Sequence, residues 1–329
     1  MPPSASEGTY PNAPGAEAAV LASWNDGPAK RAIIDFVARA TDQSSQCFVR
    51  PEDRIATFDQ DGTLWVEQPI YAQVAFAFDR LAALAESNPE LKEVEPFKSV
   101  LSRDQVAIGA FTLKELEPIA AATHTNITVE AFRAHVAEWI ARARHPIFGR
   151  RYTELTYQPM HELMAYLRAA GFAIYIVTGG GQDFVRVFAE ETYGVSRDRV
   201  VGSILAARFG HDTSGRPILT KIANLVLIND VASKPEGIHM MIGRRPTIAF
   251  GNSGGDQPML DFTTGGGGHA MGLLLLHDDT VREYAYGPAL GLPDSKVGTF
   301  TQALYDEAQE RGWTVVSMKN DWKRVFAFE

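Results

Sequence analysis

Apolar and polar positions change their rhythm several times along the chain, and the changes mark its elements. Asn25-Asp26-Gly27-Pro28 is a helix-start signal, and Ile33, Ile34, Phe36, Val37 and Ala40 follow at helical spacing. Arg54 to Phe58 is a short apolar run that stops at an acidic cluster, as a buried strand does. From Tyr71 to about Arg144 the rhythm is helical. Val74, Phe76, Phe78, Leu81 and Leu84 form one amphipathic stretch, broken at Asn88-Pro89. Thr128 then caps a helix carrying Val129, Phe132, Val136, Trp139 and Ile140. Phe76, Phe78, Phe132 and Trp139 are read as the core of this insertion.

After it, strands and helices alternate. Met160, Leu163, Met164 and Leu167 make a helix closed by Gly171, and Phe172 to Val177 is a buried strand. Phe184 to Thr192 is helical; Val200 to Leu205, Leu225 to Leu227, Thr247 to Phe250 and Gly272 to Leu276 are strand-like. From about Phe300 the pattern gives a helix and then a strand-like Trp313 to Met318. This alternation predicts an α/β fold, a doubly wound, Rossmann-like parallel sheet with helices on both faces. The expected organisation is a flexible tail over 1–24, a core of 25–68 plus 158–329, and an all-helical cap inserted at 69–157.

Composition narrows the function classes. A chain of 329 residues with 45% hydrophobic content can bury a sizeable core. Its formal charge of −9 disfavours nucleic acid or an anionic membrane as the main partner, while a small anionic ligand needs only a local positive pocket. Cys47 is the single cysteine, so no intrachain disulfide forms, which fits a reducing, cytoplasmic setting. No apolar run approaches the roughly 18 residues of a spanning helix, and the Pro-, Gly- and Ala-rich start does not read as a signal peptide. Oligomeric state is not legible.

Four clusters carry candidate chemistry. Asp59-Gln60-Asp61-Gly62-Thr63-Leu64 follows the first strand. Residues i and i+2 of an extended backbone face the same way, so two carboxylates share a pocket at the strand's carboxyl end, where open α/β sheets bind ligands. One can attack phosphorus while the other exchanges a proton with the leaving group. An acidic turn is the plain alternative, but a calcium loop is disfavoured because Leu64, Trp65 and Val66 stand where oxygen ligands are needed. Thr178-Gly179-Gly180-Gly181 lies between a strand and a helix and can cradle a phosphate, although alone it is an ordinary glycine turn. Lys234 begins a helix and can offset phosphoryl charge; most lysines are simply solvated. Gly251-Asn252-Ser253-Gly254-Gly255-Asp256 offers hard oxygens suited to magnesium, or merely a helix cap at Asp256.

The order of these clusters resembles the four motifs of the haloacid dehalogenase superfamily, and within it the phosphoserine-phosphatase-like branch. The resemblance covers about residues 51–276, with Thr178-Gly179-Gly180 matching the second motif and Gly251 to Leu260 the fourth. It implies Asp59 as nucleophile and magnesium ligand, and Asp61 as general acid/base with its carbonyl on the metal. It places Thr178, Gly179 and Lys234 on the phosphoryl oxygens, Asn252 on the metal, and Asp256 in support of the metal shell or of Lys234. The implied activity is magnesium-dependent hydrolysis of a small phosphomonoester. Phosphoryl transfer to another acceptor and non-catalytic ligand binding are the alternatives. Two positions depart from the pattern. Asn252 stands where the family usually has Asp, and Glu67-Gln68 stands where phosphoserine-specific members have a Glu pair. Lys221 is an alternative active-site lysine. His277-Asp278-Asp279 and Gly265–Gly268 with His269 are read as turns or loops, Asn126-Ile127-Thr128 as a chance sequon, and Arg150-Arg151 as either an anion-steering or a surface pair.

Overall fold

The computed structural model describes residues 20–329. Its centre is a seven-stranded sheet made of β1 (Ile55–Phe58), β2 (Ala173–Gly181), β3 (Val200–His211), β4 (Pro217–Leu227), β5 (Ile248–Gly251), β6 (Met271–Leu276) and β7 (Thr314–Ser317). The spatial order is β4-β3-β2-β1-β5-β6-β7, and every pairing is parallel except β3 with β4. The chain winds from β1 to β2 and β3 on one side, and from β5 to β7 on the other. The crevice between β1 and β5 is therefore the topological switch point, where such sheets bind ligands. The central strands β1, β5 and β6 are buried along their whole length, which is why each reads as an unbroken apolar run.

Helix α1 (Pro28–Thr41) precedes β1. Between β1 and β2 lie α2 (Ala72–Ala85), α3 (Phe97–Leu101), α4 (Gln105–Gly109), α5 (Leu113–His124), α6 (Val129–Arg142) and α7 (Gln158–Ala169). Thr128 caps α6, accepting the Ala131 N–H at 3.0 Å, as its sequence position implies. After β2 come α8 (Gln182–Val185) and α9 (Ala189–Tyr193), two short helices in place of the single one expected over 184–192. The remaining helices are α10 (Ser233–Ile242), α11 (Gln257–Thr264), α12 (Gln302–Arg311) and α13 (Met318–Asp321). Among the described residues, no helix is long and apolar enough to cross a membrane.

Three expectations change. The tail assigned to 1–24 does not reach Trp24: Leu21, Ser23 and Trp24 are buried, and residues 1–19 lie outside the described residues. Trp24 packs edge-on against Trp322 at 5.9 Å, and its indole donates to Pro159 O at 2.9 Å. Strands β3 and β4 run on past the expected Leu205 and begin well before Leu225, forming a long antiparallel hairpin. Its outer arms are exposed at Phe209 and Leu219, so they lack the continuous apolar signature of a buried strand. The third change concerns the insertion's aromatics. Phe76, Phe132 and Trp139 belong to the main core, with Phe76 and Trp139 lying 5.5 and 6.2 Å from Phe184. A separate cluster in the insertion is small, built on Ala77, Leu81, Val100 and Ile119.

Trp24→Ala should therefore lower stability by about 3–5 kcal/mol, the range for a large buried side chain. Urea unfolding followed by fluorescence measures this. A change within experimental error would return residues 20–24 to the tail.

Candidate active site

The crevice is built from the ends of β1, β2 and β5. Asp59 continues β1, its N–H donating to Phe250 O at 2.9 Å. The chain then turns sharply: Thr63 and Leu64 N–H groups donate to Gln60 O at 3.1 and 2.8 Å. Gly62 has φ +73, and a Cβ there would lie 2.2 Å from Asn252 Nδ2 and 2.3 Å from Glu67 Oε1. Only glycine fits both the angle and the space.

Lys234, near the start of α10, is buried and reaches Asp59 Oδ1 and Asp256 Oδ1, each at 2.6 Å, and Val177 O at 3.3 Å. Burial opposes its charge, but Asp256 and Asp59 outweigh that and raise its pKa. Asp59 is pushed up by burial and by Asp256, and pulled down by Lys234. Lys221, the alternative lysine, instead pairs with Asp183 at 2.5 Å on the far wall of the cavity. Asp61 lies beside Asp59, its Oδ1 accepting from the Trp65 indole at 2.7 Å, and burial raises its pKa to about 6. A carboxyl held there can be proton donor and acceptor near neutrality.

At the end of β2, Thr178 Oγ1 accepts the Gly180 N–H at 2.9 Å, and Gly179 lines the cavity. The strand itself runs through Thr178-Gly179-Gly180-Gly181 with a register shift against β3, instead of stopping at Val177. After β5, Asp256 Oδ2 accepts the N–H groups of Asn252 and Ser253 at 2.9 and 3.1 Å. One carboxylate thus fixes the Asn252 loop and the buried lysine together.

Residues to which the sequence assigned no role in the site complete it. Glu67 Oε1 accepts from Asn252 Nδ2 and from the Tyr286 hydroxyl, both at 2.7 Å. His277 was read as part of a turn, yet it is buried: Nε2 donates to Gly62 O at 2.7 Å and Nδ1 meets Glu283 at 3.0 Å. Burial opposes its charge, but Glu283 more than compensates, and its pKa is raised. Nothing local announces these partners, since Glu67 and Tyr286 are 219 positions apart. Arg150 stacks on Phe328 and Arg151 pairs with Glu154, and neither lines the cavity.

A cation fits this donor set in one place. The Thr63 hydroxyl faces two acceptors, Asn252 Oδ1 at 3.2 Å and Asp59 Oδ2 at 3.4 Å, and has one proton for both. Hard, otherwise under-satisfied oxygens converging in this way suit magnesium. Among the described residues no group of three His, Cys, Asp or Glu side chains could hold a metal. A cation here would therefore depend on Asp59, the Asn252 amide oxygen, backbone oxygen and water.

A family model for haloacid dehalogenase-like hydrolases matches residues 56–261, from β1 into α11. The chain belongs to that family. The match contains Asp59, Asp61, Thr178, Lys234, Asn252 and Asp256, but not His277, Glu283 or Tyr286. No curated protein matches this haloacid dehalogenase-like hydrolase. Solved structures similar to it include a protein of unknown function from Bordetella pertussis Tohama I, at 16% identity and TM-score 0.48, covering 80% of this chain and 97% of that one. Another, a conserved functionally unknown protein from Anaerococcus prevotii DSM 20548, gives 16% identity and TM-score 0.49, with 76% and 85% covered. A phosphoserine phosphohydrolase-like protein from Francisella tularensis gives 16% and 0.39, with 68% and 88% covered.

Replacing Lys234 leaves two buried carboxylates without their common counter-charge. Lys234→Met should lower unfolding free energy by about 3–5 kcal/mol, as for other broken buried ion pairs. Adding Asp256→Asn should recover part of that loss. Denaturant titration of the single and double variants tests this, and a double variant less stable than the single would refute the shared-lysine arrangement.

Proposed function

We propose that this hydrolase is a magnesium-dependent phosphatase that cleaves a small phosphomonoester through an aspartyl-phosphate on Asp59. The observation that carries this is the pair Asp59 and Asp61 at the β1/β5 crevice, with the Lys234 ammonium 2.6 Å from the Asp59 carboxylate. The motif order of the phosphoserine-phosphatase-like branch points the same way.

In this scheme an Asp59 oxygen attacks phosphorus, and the bond to the leaving oxygen breaks. Asp61 gives its proton to that oxygen, then takes one from the water that hydrolyses the aspartyl-phosphate, releasing phosphate and restoring both carboxyls. Lys234 and the backbone donors at Thr178-Gly179 face the charge on the phosphoryl oxygens. Magnesium, when bound by Asp59, the Asp61 carbonyl and Asn252, would neutralise phosphoryl charge. Asp256 holds Lys234 and the Asn252 loop in register. Burial raises the Glu67 pKa to about 8, and a cation bound beside Asn252 would draw it into the charged form, so that Glu67 would supply the negative charge that Asn252 lacks through their hydrogen bond.

The test is phosphate release from a panel of phosphomonoesters, with magnesium or EDTA. EDTA and Asp59→Asn should each abolish release, and Asp61→Asn should lower it by about 10²–10⁴-fold. Full activity in Asp59→Asn would sink the nucleophile assignment. The role of Glu67 is read from metal affinity. By calorimetry, Glu67→Gln should weaken magnesium binding by about 10–100-fold, as loss of a supporting partner does. The swap Glu67→Gln with Asn252→Asp keeps the charge and the hydrogen bond with its polarity reversed, so affinity should return. Unchanged affinity in Glu67→Gln would remove Glu67 from the metal's surroundings.

A further inference from the structure

We propose that the leaving group this site accepts is apolar, an alkyl or aryl alcohol, not an amino acid, sugar or nucleoside. The proposal rests on the phosphomonoester reading above. The cavity that opens over Asp59 and Asp61 has a volume of about 590 Å³. Beyond the carboxylates its wall is made by Val74, Leu116, Ile119, Phe132, Phe184 and Leu205, contributed by α2, α5, α6, α8 and β3.

A polar leaving group needs donors, acceptors or charges that are free to meet it, because a buried polar group without a partner is penalised. Apart from the Tyr71 hydroxyl, which accepts the Gly298 N–H at 3.4 Å, the neutral polar side chains deeper in this wall are engaged with one another or with the backbone. Gln73 Oε1 accepts the Gly181 N–H at 2.6 Å, and its Nε2 donates to His124 Nε2 at 3.1 Å. That fixes the His124 proton on Nδ1, which donates to Thr123 Oγ1 at 2.7 Å, and the Thr123 hydroxyl donates to Ile119 O at 2.7 Å. The chain ends on the backbone at both ends. Burial, reinforced by Lys221, lowers the His124 pKa to about 4, so the ring brings no charge at neutral pH.

Lys221, a buried cation that also lines the cavity, is paired as well. Lys221 meets Asp183 at 2.5 Å and lies 4.8 Å from the centre of the Phe132 ring. Asp183 offsets its charge, which weakens its pull on a substrate carboxylate. Ser203 Oγ donates to Gly179 O at 2.7 Å and accepts the Asn229 N–H at 3.0 Å. The charged groups that remain on the wall are exposed carboxylates, Glu117 on α5 and Asp230 beside Gly179 and Gly255. They repel a second anion, and water already solvates them.

An apolar leaving group should gain from each methylene it buries. At about 0.8 kcal/mol per CH₂, kcat/KM should rise about three- to fourfold per carbon along the n-alkyl phosphates from ethyl to hexyl. Hexyl phosphate should exceed phosphoserine, glucose 6-phosphate, AMP and phosphoethanolamine by at least about tenfold on the same scale. A flat alkyl series, or a polar ester ahead of it, would overturn the apolar class while leaving the phosphatase reading intact. A second measurement does not depend on turnover: calorimetric binding of the non-hydrolysable n-alkylphosphonates. The same gain per methylene there upholds the apolar class even if no ester, nor the anhydride acetyl phosphate, releases phosphate. In that case the phosphatase reading alone falls. Phosphonate affinity independent of chain length overturns the proposal outright.

Discussion

A lysine ammonium buried between two carboxylates fixes the architecture of this site. Two anions brought so close in a dry crevice could not both stay ionised without a counter-charge. Lys234 provides it, 2.6 Å from each. The pairing also ties three separate pieces of chain: the end of β1 that carries Asp59, the start of α10, and the turn from β5 into α11 that carries Asp256. Asp256 then uses its second oxygen on the backbone of Asn252 and Ser253. The charge that faces Asp59 and the geometry that places the Asn252 amide beside it are therefore one device.

A second layer holds the turn after β1. His277, at the end of β6, donates to Gly62 O, and Glu283 holds the imidazole from the other side. Glu67 closes the ring by accepting from Asn252 and Tyr286. Asn252 differs from an aspartate in two ways at once: it loses a negative charge and gains a donor. The donor is used on Glu67, so a carboxyl group stands one hydrogen bond away from the amide, with burial holding its pKa up at about 8.

How much of this could be read from the sequence follows from what each feature depends on. Asp59, Asp61 and Asn252 were legible because they sit at the ends of short, fully buried strands, and such strands announce themselves as apolar runs cut off by polar residues. Lys234 was legible only through motif order; that it meets Asp59 while Lys221, carried by β4, meets Asp183 is visible only in the packed structure. The β3–β4 hairpin was half visible: Val200 to Gly202 of β3 are buried, whereas most of β4, Leu225 and Val226 included, is exposed. Glu67 and His277 were visible as residues but not as parts of the site. Their partners are brought to them by the packing of the segment after β6 against the β1 turn, and no periodicity encodes that. Trp24 was hidden by its Ala-, Pro- and Gly-rich surroundings, though its indole fills space against Trp322.

The insertion shapes the cavity through the way it is anchored. Its base is not a free lid, because Phe76 and Trp139 pack on Phe184 within the main core. It is also stitched to the hairpin, with Asn126 N–H donating to Lys221 O and Lys221 N–H to Ile127 O at 2.8 and 2.9 Å. Swinging the insertion as one body would break these aromatic contacts and backbone bonds together. The part around Ala77, Leu81, Val100 and Ile119 rests on a small cluster of its own, and local opening is cheapest where few apolar contacts are lost. That cluster reaches the cavity through Ala77 and Ile119. A substrate that enters by displacing it meets an apolar wall on the moving side and the fixed carboxylates on the other. If that part opens and closes, closure would bury apolar surface and exclude water from the crevice together, and a greasy leaving group would help hold the site shut.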